Sequence, residues 1–112
     1  MKKVLIIDDE VDLCLMIRQF LRKRNYDVHI AHTLNEGLSH LNAITPDVLF
    51  LDNNLPDGMG WDAAKSIHDK FPFMKITLIS AYELSHEVRI RLDHSIQVLE
   101  KPVSLLEIER HL

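Results

Sequence analysis

The hydrophobic and polar positions of this chain alternate between two spacings. Short runs of consecutive apolar residues at positions 4–7 and 48–51 are typical of parallel strands that are covered on both faces. Between such runs, apolar residues recur three and four positions apart, which predicts helices with one buried face. The first of these faces consists of Leu13, Met16, Ile17, Phe20 and Leu21.

The same two spacings continue to the end of the chain. They predict further strands at residues 26–30, 76–79 and 96–99, and helices at about 61–70, 83–92 and 104–112. Two capping boxes, Thr33-x-x-Glu36 and Ser104-x-x-Glu107, predict where the second and the last helix begin. Because strands and helices alternate throughout, we expect an α/β fold whose parallel sheet carries helices on both faces.

Composition limits the classes of protein that remain. With 112 residues, the chain can form one domain, 1–112, around a single hydrophobic core. The net charge of −4 and the lack of a basic stripe argue against nucleic-acid contact by this domain. No apolar run is long enough for a signal peptide or a membrane span, and the single cysteine, Cys14, suits a reducing compartment. We therefore expect a cytoplasmic domain.

Polar side chains follow the predicted strands at their carboxyl ends, where parallel α/β sheets bind ligands. These residues are Asp8, Asp9 and Glu10 after the first strand, Asp52 after the third, Ser80 after the fourth and Lys101 after the fifth. An ordinary strand order brings them to one edge of the sheet. The second strand ends in Ala31 and His32 and offers fewer side chains that could bind a ligand. The seven histidines have no metal-ligand spacing and are predicted to lie at the surface.

This set of side chains suits phosphoryl transfer. Carboxylates that repel one another are stabilised by a hard cation, and Mg²⁺ is typically held by one or two carboxylates together with phosphate oxygens. A hydroxyl and an ammonium group would contact the phosphoryl oxygens, and Asp52 would be the nucleophile that forms an aspartyl-phosphate. Plainer interpretations stay open here: the acids at 8–10 could be helix N-terminal acids, and Asp52 could open a turn.

Four segments, in this order and spacing, resemble the receiver domain of two-component response regulators: VLIIDDE, DVLFLDNNLPDGMG, TLISA and LEKP. The resemblance spans essentially the whole chain. It implies a flavodoxin-like three-layer sandwich, in which five helices cover a five-stranded parallel sheet of order 2-1-3-4-5.

The resemblance also implies a phosphoacceptor site that binds Mg²⁺. Asp52 matches the phosphoacceptor of the family, and Asp8 and Asp9 match the acidic pair that binds the metal. Asn54 matches the position whose backbone carbonyl is a further metal ligand. Asp52 would itself belong to the metal site.

Two further residues match groups that respond to the phosphoryl group. Ser80 matches the switch hydroxyl, and Lys101 matches the lysine that contacts the phosphoryl oxygens. The Lys101–Pro102 peptide matches one that is often cis in the family.

The family context implies a signalling domain rather than an enzyme. The phosphoryl donor would be a sensor histidine kinase or a histidine phosphotransfer protein, and an output domain or a homodimer would read the signal. The last predicted helix is short relative to the family, which suggests the receiver portion of a longer protein. A contact patch for the kinase is expected on the first helix at Val11, Cys14 and Leu15. Partial burial of these residues under neighbouring loops stays equally open, and Cys14 by itself is most simply a small packing residue.

One departure from the family concerns the relay of the signal. Val98 stands three residues before Lys101, where the family usually has an aromatic switch residue. Valine cannot make the swing of a ring, so an interaction module that acts without phosphorylation stays open as an alternative. A metal-dependent phosphatase is less favoured, because Asn54 occupies the position of the second acid that such an enzyme usually needs.

Overall fold

The computed structural model describes residues 1–81, 84–92 and 95–112. The strands are β1 Lys3–Ile7, β2 Asp27–Ala31, β3 Val48–Asp52, β4 Lys75–Ser80 and β5 Ile96–Glu100. The helices are α1 Val11–Arg22, α2 Leu34–Ile44, α3 Gly60–Lys70, α4 His86–Arg91 and α5 Leu105–Arg110. Two very short strands, Asn54–Leu55 and Gly58–Met59, pair in antiparallel fashion; we call residues 54–59 the acceptor-loop hairpin.

The strands form one parallel sheet in the order β2-β1-β3-β4-β5. This is the order 2-1-3-4-5, so the predicted α/β, flavodoxin-like fold is confirmed. Each parallel crossover needs a connection of helix length, which places helices over both faces. No helix within the described ranges is long and apolar enough to cross a membrane.

The central strands β1, β3 and β4 are mostly apolar on both faces because each face packs under helices. On β1, Leu5 and Ile7 join the core cluster that packs under α2 and α3. Val4 and Ile6 join the cluster that packs under α1 and α5. Side chains that alternate along a strand therefore fill two cores at once, which explains the uninterrupted apolar runs.

The buried face of α1 differs from the predicted one. It consists of Cys14, Ile17 and Leu21. Met16 keeps 45% of its surface exposed, because one residue step turns it about 100° from the helix's buried side. Cys14 therefore belongs to the core: its predicted place in a contact patch is wrong, and its interpretation as a small packing residue is confirmed. Val11 and Leu15 are exposed, as predicted for that patch.

Helix ends follow their capping residues. Ser104 and Glu107 form the predicted capping box of α5, and Thr33 Oγ1 accepts a hydrogen bond from the Glu36 amide at the start of α2. Helix α4 begins at His86, capped by Ser85, rather than near residue 83, which lies outside the described ranges. Capping explains the later start, since the serine side chain accepts from the Val88 amide.

Helix α2 approaches β1 through Gly37. This glycine is buried, and a Cβ built on it would clash with the side chain of Ile7, itself fully buried. Glycine is therefore required here for close packing of the helix on the sheet rather than for an unusual backbone angle.

Replacing Gly37 with alanine should lower the free energy of unfolding by about 1–2 kcal/mol, because overpacking of the core against Ile7 outweighs the gain that alanine brings to a helix. Urea denaturation measures the difference. Ser39→Ala, at an exposed position of the same helix, is the matched control and should change stability by less than about 0.5 kcal/mol. A Gly37→Ala protein as stable as wild type would contradict this account of the packing.

Candidate functional site

Two neighbouring strands deliver carboxylates to the same edge of the sheet. Asp52 is the last residue of β3, and Asp8 and Asp9 directly follow β1. Ile7 pairs with Leu51, so the ladder brings the next residues side by side. One carboxylate oxygen from each of the three aspartates lies within 4.8 Å of the others. Asp8 and Asp52 are buried and Asp9 is exposed.

Lys101 supplies the positive charge of this cluster. It follows β5, and its amide donates to the Ser80 carbonyl at 2.7 Å. Its Nζ lies 3.4 Å from Asp8 Oδ2, 3.6 Å from Asp52 Oδ1 and 2.8 Å from Glu10 Oε1. Burial acts to lower the pKa of Lys101, but the hydrogen bond to Glu10 and the surrounding carboxylates raise it to about 12. The Lys101–Pro102 peptide is cis, as the family resemblance implies.

The buried carboxylates are destabilised in their charged form. Burial, and then the charge of Asp8, raise the pKa of Asp52 to about 6. Burial also raises the pKa of Asp8, against the opposing effects of the Glu10 amide and Lys101. One lysine therefore does not compensate for the acids around it, and the cluster favours a further cation or a bound proton.

The turn after β3 is built by Asn53, which the sequence did not single out. Its side chain is 4% exposed, and its Oδ1 accepts from the Trp61 amide at 2.9 Å. Its own amide donates to the Ile79 carbonyl at 2.8 Å, and its carbonyl accepts from Gly60 at 2.8 Å. A Cβ on Gly60 would lie 2.5 Å from the Asp52 carbonyl oxygen, so the turn closes tightly against the strand end.

The other predicted site residues lie near this edge. The amide of Asn54 donates to Asp52 Oδ1 at 3.4 Å, which places the backbone of the acceptor-loop hairpin beside the aspartate. Ser80 is the buried last residue of β4, one step beyond the Asp52–Ile79 pair of the ladder. Val98 lies on β5, paired with Leu78, and packs half-buried against the core under α2 and α3.

Two residues play larger roles than the sequence indicated. Glu10 was grouped with the acids, and it is the nearest carboxylate partner of Lys101. His32 was predicted at the surface, but it is half-buried, and its Nδ1 donates to the Asp8 carbonyl at 2.8 Å. Its position after β2, adjacent to β1, was the available signal, because that strand end lies at the same edge.

The donor set of the cluster fits a hard divalent cation. All the groups that converge are carboxylate oxygens, the ligands that Mg²⁺ and Ca²⁺ prefer. Asp8 Oδ1 accepts from the Glu10 amide at 2.9 Å. Asp8 Oδ2 is buried and has no hydrogen-bond partner among the described residues, although Lys101 lies 3.4 Å away. An oxygen left in this way is suited to metal ligation.

Curated relatives are similar over nearly the whole chain. The transcriptional regulatory protein TrcR of Mycobacterium tuberculosis is 27% identical over 111 residues, which cover 98% of this chain and 43% of that protein. The response regulator protein PilR of Pseudomonas aeruginosa is 30% identical over 105 residues, which cover 93% of this chain and 24% of that protein. The chain thus spans less than half the length of these relatives.

Solved structures agree with this similarity. A CheY-like response regulator receiver domain protein from Methanospirillum hungatei superposes with a TM-score of 0.88 at 27% identity, covering 98% of this chain and 89% of that chain. The family model described as the response regulator receiver domain matches residues 4–112. The chain belongs to the response regulator receiver domain family of two-component signalling systems.

Proposed function

We propose that Asp52 is the phosphoacceptor of this receiver domain. The observation that carries the proposal is the position of its buried carboxylate, which lies in one cluster with Asp8 and Asp9 and 3.6 Å from Lys101 Nζ. The donor would be a phosphohistidine on a sensor histidine kinase or on a histidine phosphotransfer protein. In the transfer, an Asp52 carboxylate oxygen forms a bond to phosphorus while the phosphorus–nitrogen bond to the donor imidazole breaks.

Magnesium is the cofactor that we propose for this site. Asp8, Asp9 and Asp52 would hold it with their carboxylates, and Asn54 would add its backbone carbonyl. When bound, the ion neutralises negative charge on the carboxylates and on the phosphoryl oxygens. The fit of the donor set, with the raised pKa values of Asp8 and Asp52, supports this assignment.

The chain's own residues would orient and stabilise the phosphoryl group. Lys101 Nζ is close enough to Asp52 to donate to phosphoryl oxygens, and its high pKa keeps it charged at neutral pH. Ser80, at the neighbouring strand end, would donate its hydroxyl to the same group. These new contacts would shift an existing equilibrium between two arrangements of the nearby loops.

The wider context is part of the proposal. We propose that residues 1–112 are the receiver domain of a cytoplasmic signalling protein, which does not turn over substrate as an enzyme. Its partners would be the kinase and either an output domain or a second copy of the chain. The kinase would contact the exposed patch at Val11 and Leu15, which begins beside the β1–α1 loop.

Val98 is the observation behind a second candidate, although the matches to response regulators favour the phosphoacceptor domain. A valine at this position cannot rotate as an aromatic ring does, and here it is half-buried and packs against the core. A receiver-fold module that binds partners without phosphorylation would need no such rotation. Uptake of a phosphoryl group separates the two candidates directly.

Incubation with phosphoramidate and Mg²⁺ should add one phosphoryl group to the wild-type chain and none to Asp52→Asn, because the variant lacks the nucleophilic oxygen. Intact mass spectrometry, with and without EDTA, measures the uptake. Asp62→Asn is the control, since it removes an exposed carboxylate on α3, and it should be labelled fully. Labelled Asp52→Asn would contradict the assignment, and a folded wild type without label would favour the second candidate.

Without metal at pH 7, Asp52→Asn should raise the free energy of unfolding by about 1–3 kcal/mol. With a folded-state pKa of about 6, Asp52 binds its proton more tightly in the folded protein than in the unfolded chain. Stability is therefore lost as the pH rises from about 4 through 6, and the asparagine removes this loss. Urea denaturation in EDTA measures the effect.

The metal should act against this difference in stability. Addition of MgCl₂ should stabilise the wild type more than Asp52→Asn, since the variant has lost a proposed ligand. The Asp62→Asn control should follow the wild type in both conditions. If Asp52→Asn is less stable than wild type in EDTA, the electrostatic description of the cluster is wrong.

Lys101→Ala should still accept a phosphoryl group but respond to it less. A modification can shift an equilibrium only by its differential contact energy with the two states, and Lys101 supplies a large part of that contact. The emission of Trp61, which follows the acceptor-loop hairpin, reports the response, and mass spectrometry of the same sample reports uptake. Lys23→Ala, at an exposed position, is the control. A full emission change in Lys101→Ala would contradict this role.

A further inference from the structure

The carboxylate of Asp57 joins the loop after β3 to the first turn of α2. Its Oδ1 accepts from the Leu34 amide at 2.7 Å, and its Oδ2 accepts from the Asn35 amide at 2.8 Å. The first amides of a helix have no partner within the helix, and the helix dipole favours a negative charge at this end. The amides of Asn35 and Leu34 accordingly lower the pKa of the Asp57 carboxyl.

Helix α2 already has a cap from its own segment. Thr33 Oγ1 accepts from the Glu36 amide at 3.1 Å, and the Thr33 carbonyl accepts from Gly37 at 3.0 Å. Asp57 comes from 23 residues beyond Leu34 and so connects two separate parts of the chain. The two bonds therefore hold the loop of Asp57 in place and do more than close the helix.

The acceptor-loop hairpin needs such a support. It pairs Asn54 with Met59 and Leu55 with Gly58, and a ribbon this short is not stable by itself. Leu55 is buried in the core at one side. At the other side the hairpin touches the start of α2, where a Cβ on Gly58 would lie 3.0 Å from Leu34 Cδ2.

We propose that Asp57 is a positioning residue for the metal site: by clasping α2, it holds the acceptor-loop hairpin, and with it the backbone of Asn54, beside Asp52. Helix α2 is itself seated on β1 where Gly37 meets Ile7. The clasp thus fixes the carbonyl ligand relative to the strand that ends in the acidic pair. The inference rests on the proposed function, because it concerns ligands of the proposed magnesium site.

Asp57→Asn tests the clasp. Asparagine keeps the size of the side chain but removes its charge and places an NH₂ group against one of the two helix amides. The dissociation constant for Mg²⁺ should rise about tenfold, as when a group that orients metal ligands is removed. Titration with MgCl₂ is followed by emission of Trp61, the single tryptophan, whose amide is bonded to Asn53 in the same loop. Calorimetry gives a second measure of binding.

Thr33→Ala is the matched control. It removes a cap from the same helix but leaves the clasp intact. Its affinity for Mg²⁺ should equal that of wild type. Hydrogen exchange of the metal-free proteins is an independent readout: amides at residues 54–59 should exchange faster in Asp57→Asn and not in Thr33→Ala. If Asp57→Asn does not fold, Asp57→Ser is used in its place.

The outcomes separate this inference from the proposed function. If the wild type and Asp57→Asn bind Mg²⁺ with equal affinity, the clasp alone is overturned. An equal loss of Mg²⁺ affinity in Asp57→Asn and Thr33→Ala would also overturn the clasp. A wild type that binds no Mg²⁺ would contradict the magnesium assignment, and the positioning role with it. Weakened binding and faster exchange confined to the Asp57 variants would establish the clasp.

Discussion

The pairing of β1 with β3 is the constraint on which the site depends. Because Ile7 lies opposite Leu51 in a parallel ladder, the residues that follow must stand side by side, and both are aspartates. The two apolar cores fix this register, since a slip by one residue would exchange the faces of every side chain on the strand. The energy that holds the carboxylates together therefore comes from the packing of the whole sheet.

The fold could be predicted because the apolar pattern of the sequence agrees with the burial of strands and helices along most of the chain. The three central strands are buried on both faces over most of their length and each helix mainly on one face, so the two spacings are directly visible in the sequence, and parallel pairing follows from helix-length connections. The edge at which Asp8, Asp52 and Lys101 meet followed from the same reasoning, because carboxyl ends of parallel strands share one edge. Helix starts were predicted where Thr33 and Ser104 cap their own helices.

Contacts between segments far apart in the chain could not be predicted in this way. The bonds from Asp57 to α2 and from His32 to the Asp8 carbonyl join segments whose relative positions exist only in the folded protein. The sequence also predicted Met16 on the buried face of α1, where the structure has Cys14, and this difference has a similar cause. Both positions are apolar, and the small thiol fits beneath the helix where it meets the sheet.

The hydrogen-bond partners of the side-chain oxygens distinguish the residues that support the site from those that would react. Asp57 uses both carboxylate oxygens on helix amides, and Asn53 uses its Oδ1 on the Trp61 amide, so these side chains are occupied as supports. Asp8 uses Oδ1 on the Glu10 amide and keeps Oδ2 directed at the cluster. An oxygen that accepts from a backbone amide has one lone pair fewer for a further ligand, whereas Asp8 Oδ2, which faces Lys101 and has no hydrogen-bond partner among the described residues, gains by meeting a cation. Backbone amides thus occupy the oxygens of Asp57 and Asn53 and one oxygen of Asp8, and they leave the second Asp8 oxygen for a cation.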